Sequence, residues 1–116
     1  MNKKLKNLIS LDCNVKIYIP TTVNVDQKID NSCQVDEALK LFSSLFGGAT
    51  SYQAIGCWQS LSKDLVKEKV VICESFTDSK NLSEKIDFVI DHAENLKKEL
   101  EQEAVAIEIN NILHFV

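Results

Sequence analysis

The pair of residues best suited to chemistry is Trp58 with Glu68. Both lie in stretches whose patterns predict the two strands of one hairpin, 49–59 and 65–76. The indole could form the floor of a ligand pocket, with the carboxylate as hydrogen-bond acceptor or general base. His114, in a predicted last strand, is the third candidate for this pocket. The alternative is a core or interface tryptophan, since tryptophan often dominates both, beside a solvated glutamate.

A second group of candidates is an acidic stripe on the longest predicted helix. Its members follow at steps of 3, 4 and 3, which places them on one helical face. Such neighbouring like charges repel by a few tenths of a kcal/mol, so the stripe suggests a dock for a basic protein partner. The alternative is the ordinary solvent-facing side of an amphipathic helix. The four residues are Glu84, Asp87, Asp91 and Glu94.

Cysteine and histidine spacing does not indicate a metal site or a cofactor. The four cysteines (Cys13, Cys33, Cys57 and Cys73) form no C-x-x-C pair, and no histidine stands at ligand spacing. Residues 1–10 contain too short an apolar stretch for a secretory signal. We therefore expect a cytoplasmic protein with reduced, mostly buried thiols. A nucleophilic pair of Cys73 or Cys57 with His114 would form only if the fold brought them together.

Charge and hydropathy exclude two classes of function. All 13 basic residues are lysine, and the net charge is -4. Because arginine supplies the planar fork that reads phosphates and guanine edges, its absence argues against direct nucleic-acid binding. No apolar run approaches the roughly 20 residues that span a bilayer, so we expect no membrane insertion.

The elements that must position these candidates follow a β-α-β-β-α-β order. We predict a loose basic lead-in over 1–12 and one domain over 13–116. The loop 21–32 is anchored by Val23, Val25 and Ile29. Gly47 and Gly48 end the first helix, and Asn81 caps the second, which is about 20 residues long. The predicted strands are 14–20, 49–59, 65–76, 105–109 and 112–115, and the first helix is 33–46, with Ser32 as its cap.

This order predicts an α+β, ferredoxin-like fold with an extra C-terminal hairpin strand and both helices on one face of an antiparallel sheet. A two-layer α+β sandwich with another strand order uses the same elements and stays open. Tyr18, Tyr52 and Trp58 share the parity that could place them on the uncovered face, where a homodimer would bury them. The alternative is a polar, wet face carrying Lys16, Lys67 and Lys69.

The middle of the chain resembles short uncharacterised proteins of Gram-positive bacteria and their mobile elements. The resemblance rests on Phe46-Gly47-Gly48-Ala49-Thr50, Gly56-Cys57-Trp58 and Val66-Lys67-Glu68, and it covers residues 14–116. It implies a fold and a genomic setting but no catalytic residue.

The sequence therefore favours a non-enzymatic interaction module, an inhibitor or regulator of a host protein that binds through the acidic helix. The alternative is a small-molecule binder or a cofactorless enzyme of the dimeric α+β barrel type, with a pocket near Trp58 and Glu68.

Overall fold

The computed structural model describes residues 2–23 and 27–116, so Met1 and the predicted loop anchor Val25 lie outside the described residues. Within these two ranges, three helices and seven strands follow in chain order. They are α1 (Lys3–Lys6), β1 (Cys13–Pro20), β2 (Thr22–Val23), β3 (Gln27–Lys28), α2 (Ser32–Phe46), β4 (Thr50–Gln59), β5 (Leu65–Thr77), α3 (Ser79–Glu99), β6 (Ala106–Ile109) and β7 (Ile112–Phe115).

The main sheet has the order β4-β5-β1-β6-β7, and every neighbouring pair is antiparallel. Strand β4, which follows α2, is thus separated from β1 by its own hairpin partner β5, as in the split βαβ arrangement. This order confirms the ferredoxin-like prediction and excludes the sandwich with another strand order. The additional strand β7 forms one edge of the sheet.

Both long helices pack on one face of the sheet, over the alternate residues of β1. Val15, Ile17 and Ile19 are fully buried there, and they meet Phe42 from α2 and Val89 from α3. Because successive side chains of a strand point to opposite faces, the residues between them lie on the face that no helix covers. That uncovered side is called the open face below.

The helix starts differ from the predictions. In α3 the cap is Asp78, whose side chain accepts from the backbone nitrogen of Asn81 at 2.8 Å. The predicted cap Asn81 is thus inside the helix, where its amide donates to the Leu45 carbonyl at the end of α2. The start of α2 is also one residue early, since Ser32 is its first residue and Asn31 its cap.

Other boundaries follow local chemistry. Gly47 ends α2 in the left-handed conformation, with φ 87°. The predicted lead-in contains the short helix α1, and the predicted loop 21–32 contains the paired strands β2 and β3.

Among the cysteines, Cys13 and Cys73 are buried, whereas Cys33 and Cys57 are exposed, so only half of the thiols are in the core.

A two-stranded arm extends beyond the sheet. Strand β5 pairs with β1 only from Val70 to Thr77, whereas its pairing with β4 continues out to Leu65 opposite Gln59. We call residues 55–69 the arm. The chain measures 53 × 28 × 21 Å, and its radius of gyration is 16.0 Å. A rounder domain of this length would have a radius of gyration of about 13 Å.

No helix in the part of the chain that the structure describes is long and apolar enough to cross a membrane.

Candidate active site on the open sheet face

A lysine between two glutamates forms the centre of the open face. Lys16 on β1 stands opposite Glu74 of β5 and opposite Glu108 of β6 in the strand register. Its Nζ lies 3.8 Å from Glu74 Oε2 and 3.5 Å from Glu108 Oε2. The three side chains are only 17–21% exposed, so water screens these charges less than it screens surface pairs.

Each carboxylate has a second partner from β1. The hydroxyl of Tyr18 donates to Glu108 Oε1 at 3.0 Å, and the amide of Asn14 donates to Glu74 Oε2 at 3.2 Å. Three successive residues of one face of β1 thus fix both glutamates. We call Asn14, Lys16, Tyr18, Glu74 and Glu108 the open-face cluster. With one ammonium and two carboxylates, its formal charge at neutral pH is negative.

Two groups in the open-face cluster have shifted pKa values. Burial lowers the pKa of Lys16, but Tyr52, Glu108 and Glu74 together outweigh burial and raise the pKa above its usual 10.5. Burial also raises the pKa of Tyr18, and the hydrogen bond to Glu108 raises it further. At neutral pH the site therefore presents a charged ammonium, which pairs with both carboxylates, and a neutral phenol, which donates a hydrogen bond to Glu108.

A cavity of about 190 Å³ opens beside the open-face cluster. Its wall includes Tyr18 and Ala106 from the centre of the sheet, Glu68 and Val70 from β5, and Gln102 from the segment after α3. The amide of Gln102 donates to the carbonyls of Thr22 and Leu100, which fixes this segment at the rim. The predicted ligand residue Glu68 thus lies at the cavity that Tyr18 also lines.

The structure brings Trp58 and Glu68 together but places His114 elsewhere. Trp58 and Glu68 stand opposite Val66 and Gly56 on the open side of the arm, so they are diagonal neighbours about 7–8 Å apart. Trp58 is six residues beyond Tyr52, which is roughly 20 Å along a strand, and it does not line the cavity beside Tyr18. His114 pairs with the buried Ile107 and so points to the helix-covered side, on the strand at the opposite edge of the sheet.

The structure also locates the residues of the remaining predictions, which concern the open face, the Cys–His pair and the acidic stripe. The parity prediction for Tyr18 and Tyr52 holds, because both stand opposite Ile72 on the open face. Cys73 and His114 are three strand spacings apart, roughly 14 Å, so they form no nucleophilic pair. Burial raises the Cys73 pKa to about 11, which keeps its thiol protonated at neutral pH. All four stripe residues of α3 are exposed: Glu84, Asp87, Asp91 and Glu94.

Sequence reasoning missed most of the open-face cluster. Lys16 was expected only as part of a wet face, and Asn14, Glu74 and Glu108 were not singled out at all. Glu74 and Glu108 are 34 positions apart and meet only because β1 lies between their strands. Lys67 and Lys69, expected beside Lys16, stand opposite Cys57 and Ile55 and point to the other side. Within residues 2–23 and 27–116, no three His, Cys, Asp or Glu side chains converge on a possible metal position.

The comparisons with known proteins give structural neighbours only. No family model matches the sequence, and neither does any curated protein. Two solved structures are similar, a phage SAM lyase in complex with S-methyl-5′-thioadenosine and a phage SAM lyase in the apo state. Their TM-scores are 0.64 and 0.63, at 16% and 15% sequence identity. Each covers 95% of this chain, which in turn covers 92% and 95% of theirs.

These neighbours support the α+β fold and correct the functional prediction. The sequence favoured a non-enzymatic interaction module. Both structural neighbours, however, are structures of an enzyme, and each matches almost the whole chain. That prediction is wrong. Its basis was the acidic helix, and an exposed row of carboxylates does not distinguish an interaction module from the solvent side of an enzyme's helix.

Proposed function

We propose that this protein is a lyase that cleaves S-adenosylmethionine to S-methyl-5′-thioadenosine. The observation that carries the proposal is the open-face cluster, in which Lys16 is held between Glu74 and Glu108 in a half-buried setting. The similarity to the phage SAM lyase over 95% of the chain supplies the substrate to test.

The charges of the open-face cluster suit this substrate. S-adenosylmethionine carries a sulfonium, an α-ammonium and a carboxylate. Glu74 and Glu108 would attract the α-ammonium, which keeps its charge throughout the reaction. The rings of Tyr18 and Tyr52, on the same face, would contact the sulfonium, since aromatic faces attract cations. Lys16 keeps the two glutamates from repelling each other and fixes their positions.

The cleavage itself needs no further reactant. The substrate carboxylate attacks Cγ of its own amino-acid chain, the new C–O bond forms as the Cγ–S bond breaks, and the electron pair stays on sulfur. The products are neutral S-methyl-5′-thioadenosine and the four-carbon lactone, which still carries the ammonium. A carboxylate and a sulfonium both lose their charge, so a site poor in water favours the step over the solvated ground state. The protein's part is to hold the chain folded back on itself.

The cavity beside Tyr18 holds only part of such a substrate. Ligand pockets usually exceed about 300 Å³, and this cavity measures about 190 Å³. The remainder would lie along the open face. A second copy over that face, the homodimer that the sequence predicts, would enclose the substrate. The cytoplasm stays the expected compartment, and the bacterial mobile-element setting stays a prediction of the sequence.

The test is incubation of the purified protein with S-adenosylmethionine, followed by mass spectrometry of both products. We expect S-methyl-5′-thioadenosine together with a four-carbon product that has not gained water. The variant Glu108→Gln should lower the rate roughly ten- to a hundredfold, because a charge-assisted contact is lost. Glu103→Gln, at an exposed position, is the matched control and should react at the native rate.

Two results would overturn the proposal. One is a yield of S-methyl-5′-thioadenosine no higher than in a mixture without protein. The other is a four-carbon product that already carries the elements of water in the shortest incubations, which would make the enzyme a hydrolase. If the protein binds S-adenosylmethionine but forms no S-methyl-5′-thioadenosine above the level without protein, the proposal is likewise overturned.

A further inference from the structure

One face of the arm combines exposed aliphatic side chains with lysines. In the register of the arm, Ile55 stands opposite Lys69, and Cys57 stands opposite Lys67, so these four side chains share one face. Leu65 is on the same face at the outer end. Ile55 is 68% exposed and Leu65 61%. We call these five residues the basic arm face.

The basic arm face has no partner among residues 2–23 and 27–116. A two-stranded hairpin alone is marginally stable in water, and it normally needs a third strand or a helix to cover it. In residues 2–23 and 27–116, no carboxylate lies within 4.0 Å of the ammonium of Lys67 or Lys69. Apolar and charged groups are thus both available for a contact with another molecule.

The outer face of α3 presents the complementary chemistry. Phe88 is 54% exposed there, although large aromatic side chains usually lie in cores or interfaces. It is one turn after Glu84 and one turn before Asp91, with Asp87 beside it, and all three acids are exposed. We call Glu84, Asp87, Phe88 and Asp91 the acidic helix face. It offers an apolar centre with carboxylates around it, whereas the basic arm face offers aliphatic groups with ammonium groups beside them.

These two faces do not meet within one chain. The side of α3 that packs on the sheet includes Leu82, Val89 and Ala93, and the acidic helix face is on its other side. Since the arm is a continuation of that same sheet, the acidic helix face points away from it. A contact between the two faces therefore requires a second molecule.

We propose that the basic arm face of one copy docks on the acidic helix face, on α3, of a second copy. The two surfaces carry opposite charges and each has exposed apolar groups. The partner that fits each surface is therefore a second copy of the same chain. Because the two surfaces differ, each contact joins unlike patches. Two copies close as a reciprocal pair with two-fold symmetry, in which each arm lies against the other copy's helix, and a larger number closes as a small ring. This inference does not depend on the reaction proposed above.

Charge reversal with rescue tests the contact by native mass spectrometry and light scattering. We expect the native protein to form a closed oligomer. Either Lys67→Glu/Lys69→Glu or Asp87→Lys/Asp91→Lys should raise the dissociation constant of this oligomer more than about a hundredfold, because like charges then face each other. The chain with all four changes should assemble again, and so should a mixture of the two double variants.

The matched control is Lys28→Glu/Lys40→Glu, which alters the net charge as the arm variant does but at exposed positions of β3 and α2. It should keep the native oligomer, and circular dichroism should show that every variant is folded. A native protein that stays monomeric at high concentration would overturn the proposal. So would an oligomer whose size neither reversal reduces, or one whose native size the four combined changes fail to restore.

Discussion

The hydroxyl of Tyr18 donates a 3.0 Å hydrogen bond to Glu108 across the boundary between β1 and β6. Tyr18 contacts Oε1 of Glu108 and Lys16 pairs with Oε2, so the glutamate has two partners on one strand. A phenol that donates to a carboxylate makes a charge-assisted bond, which is stronger than a neutral one. This contact allows the most direct test of the open-face cluster, because mutation to phenylalanine removes a single oxygen without changing the shape of the ring.

The variant Tyr18→Phe should therefore lose both stability and activity. Removing a bond to a charged acceptor costs about 1.5–3 kcal/mol in the free energy of unfolding, which urea denaturation measures. We expect the rate of S-adenosylmethionine cleavage to fall as well, because Glu108 is then held by Lys16 alone. The control is the same change in a Glu108→Gln background, where it should cost less because the acceptor is no longer charged. Equal stability of Tyr18→Phe and the native protein would contradict the role of this bond.

Alkaline pH should weaken the fold through the same cluster. Lys16 and Tyr18 both have a raised pKa in the folded protein, so each binds its proton more tightly folded than unfolded. Their contribution to stability is complete below the unfolded values of 10.0 for tyrosine and 10.5 for lysine, and it is lost as the pH rises through the folded values. The free energy of unfolding, measured by urea denaturation above pH 9, should fall less steeply in Glu108→Gln. A native curve no steeper than that of the variant would contradict this account.

Mild acid should destabilise the contact of α2 with α3 through His92. Burial lowers the pKa of His92 below its usual 6.5, against the smaller opposite effects of Glu37 and Glu99, and its Nε2 is buried without a hydrogen-bond partner. A lowered folded pKa means that stability is present above pH 6.5 and is lost as the pH falls through the folded value. Urea denaturation between pH 5 and 7 should show this loss in the native protein. His92→Gln should flatten it, whereas His114→Gln, at an exposed position, should not.

The glycine pair after α2 should respond asymmetrically to alanine. Gly47 has φ 87°, where an L side chain is strained, whereas Gly48 has no positive φ. An added Cβ meets no atom within 4 Å at either position, so only the backbone conformation differs. We expect Gly47→Ala to lower the free energy of unfolding by about 1–2 kcal/mol and Gly48→Ala to leave it nearly unchanged. Equal effects of the two changes in urea denaturation would show that the left-handed conformation is not what matters.

Local patterns predicted the elements well because they depend on neighbours in the sequence. The alternation around Val15, Ile17 and Ile19 identified β1, and the glycine pair identified the end of α2. The capping prediction at Asn81 failed because two competing residues of similar chemistry, Asp78 and Asn81, stand one turn apart. Only the structure shows which of them lies outside the first turn.

The sequence did not predict most residues of the candidate site, and the reason is different. Glu74 and Glu108 become neighbours of Lys16 through strand order, and no local pattern encodes which strands flank β1. The prediction placed Trp58, Glu68 and His114 in one pocket because each has a suitable side chain. The position of β7 at the edge separates His114 from the other two, and the length of the arm separates Trp58 from the open-face cluster. Both distances depend on how far the pairing of strands extends.

The central place of β1 also constrains how the chain can fold during its synthesis. This strand is made before both of its neighbours in the sheet, β5 and β6, which are at residues 65–77 and 106–109. Contacts so distant along the chain form slowly, because a long loop must close before they stabilise anything. Until β6 leaves the ribosome, one edge of β1 stays unpaired beside an apolar surface. The nascent chain must therefore protect that edge from other chains throughout the synthesis of the residues between β1 and β6.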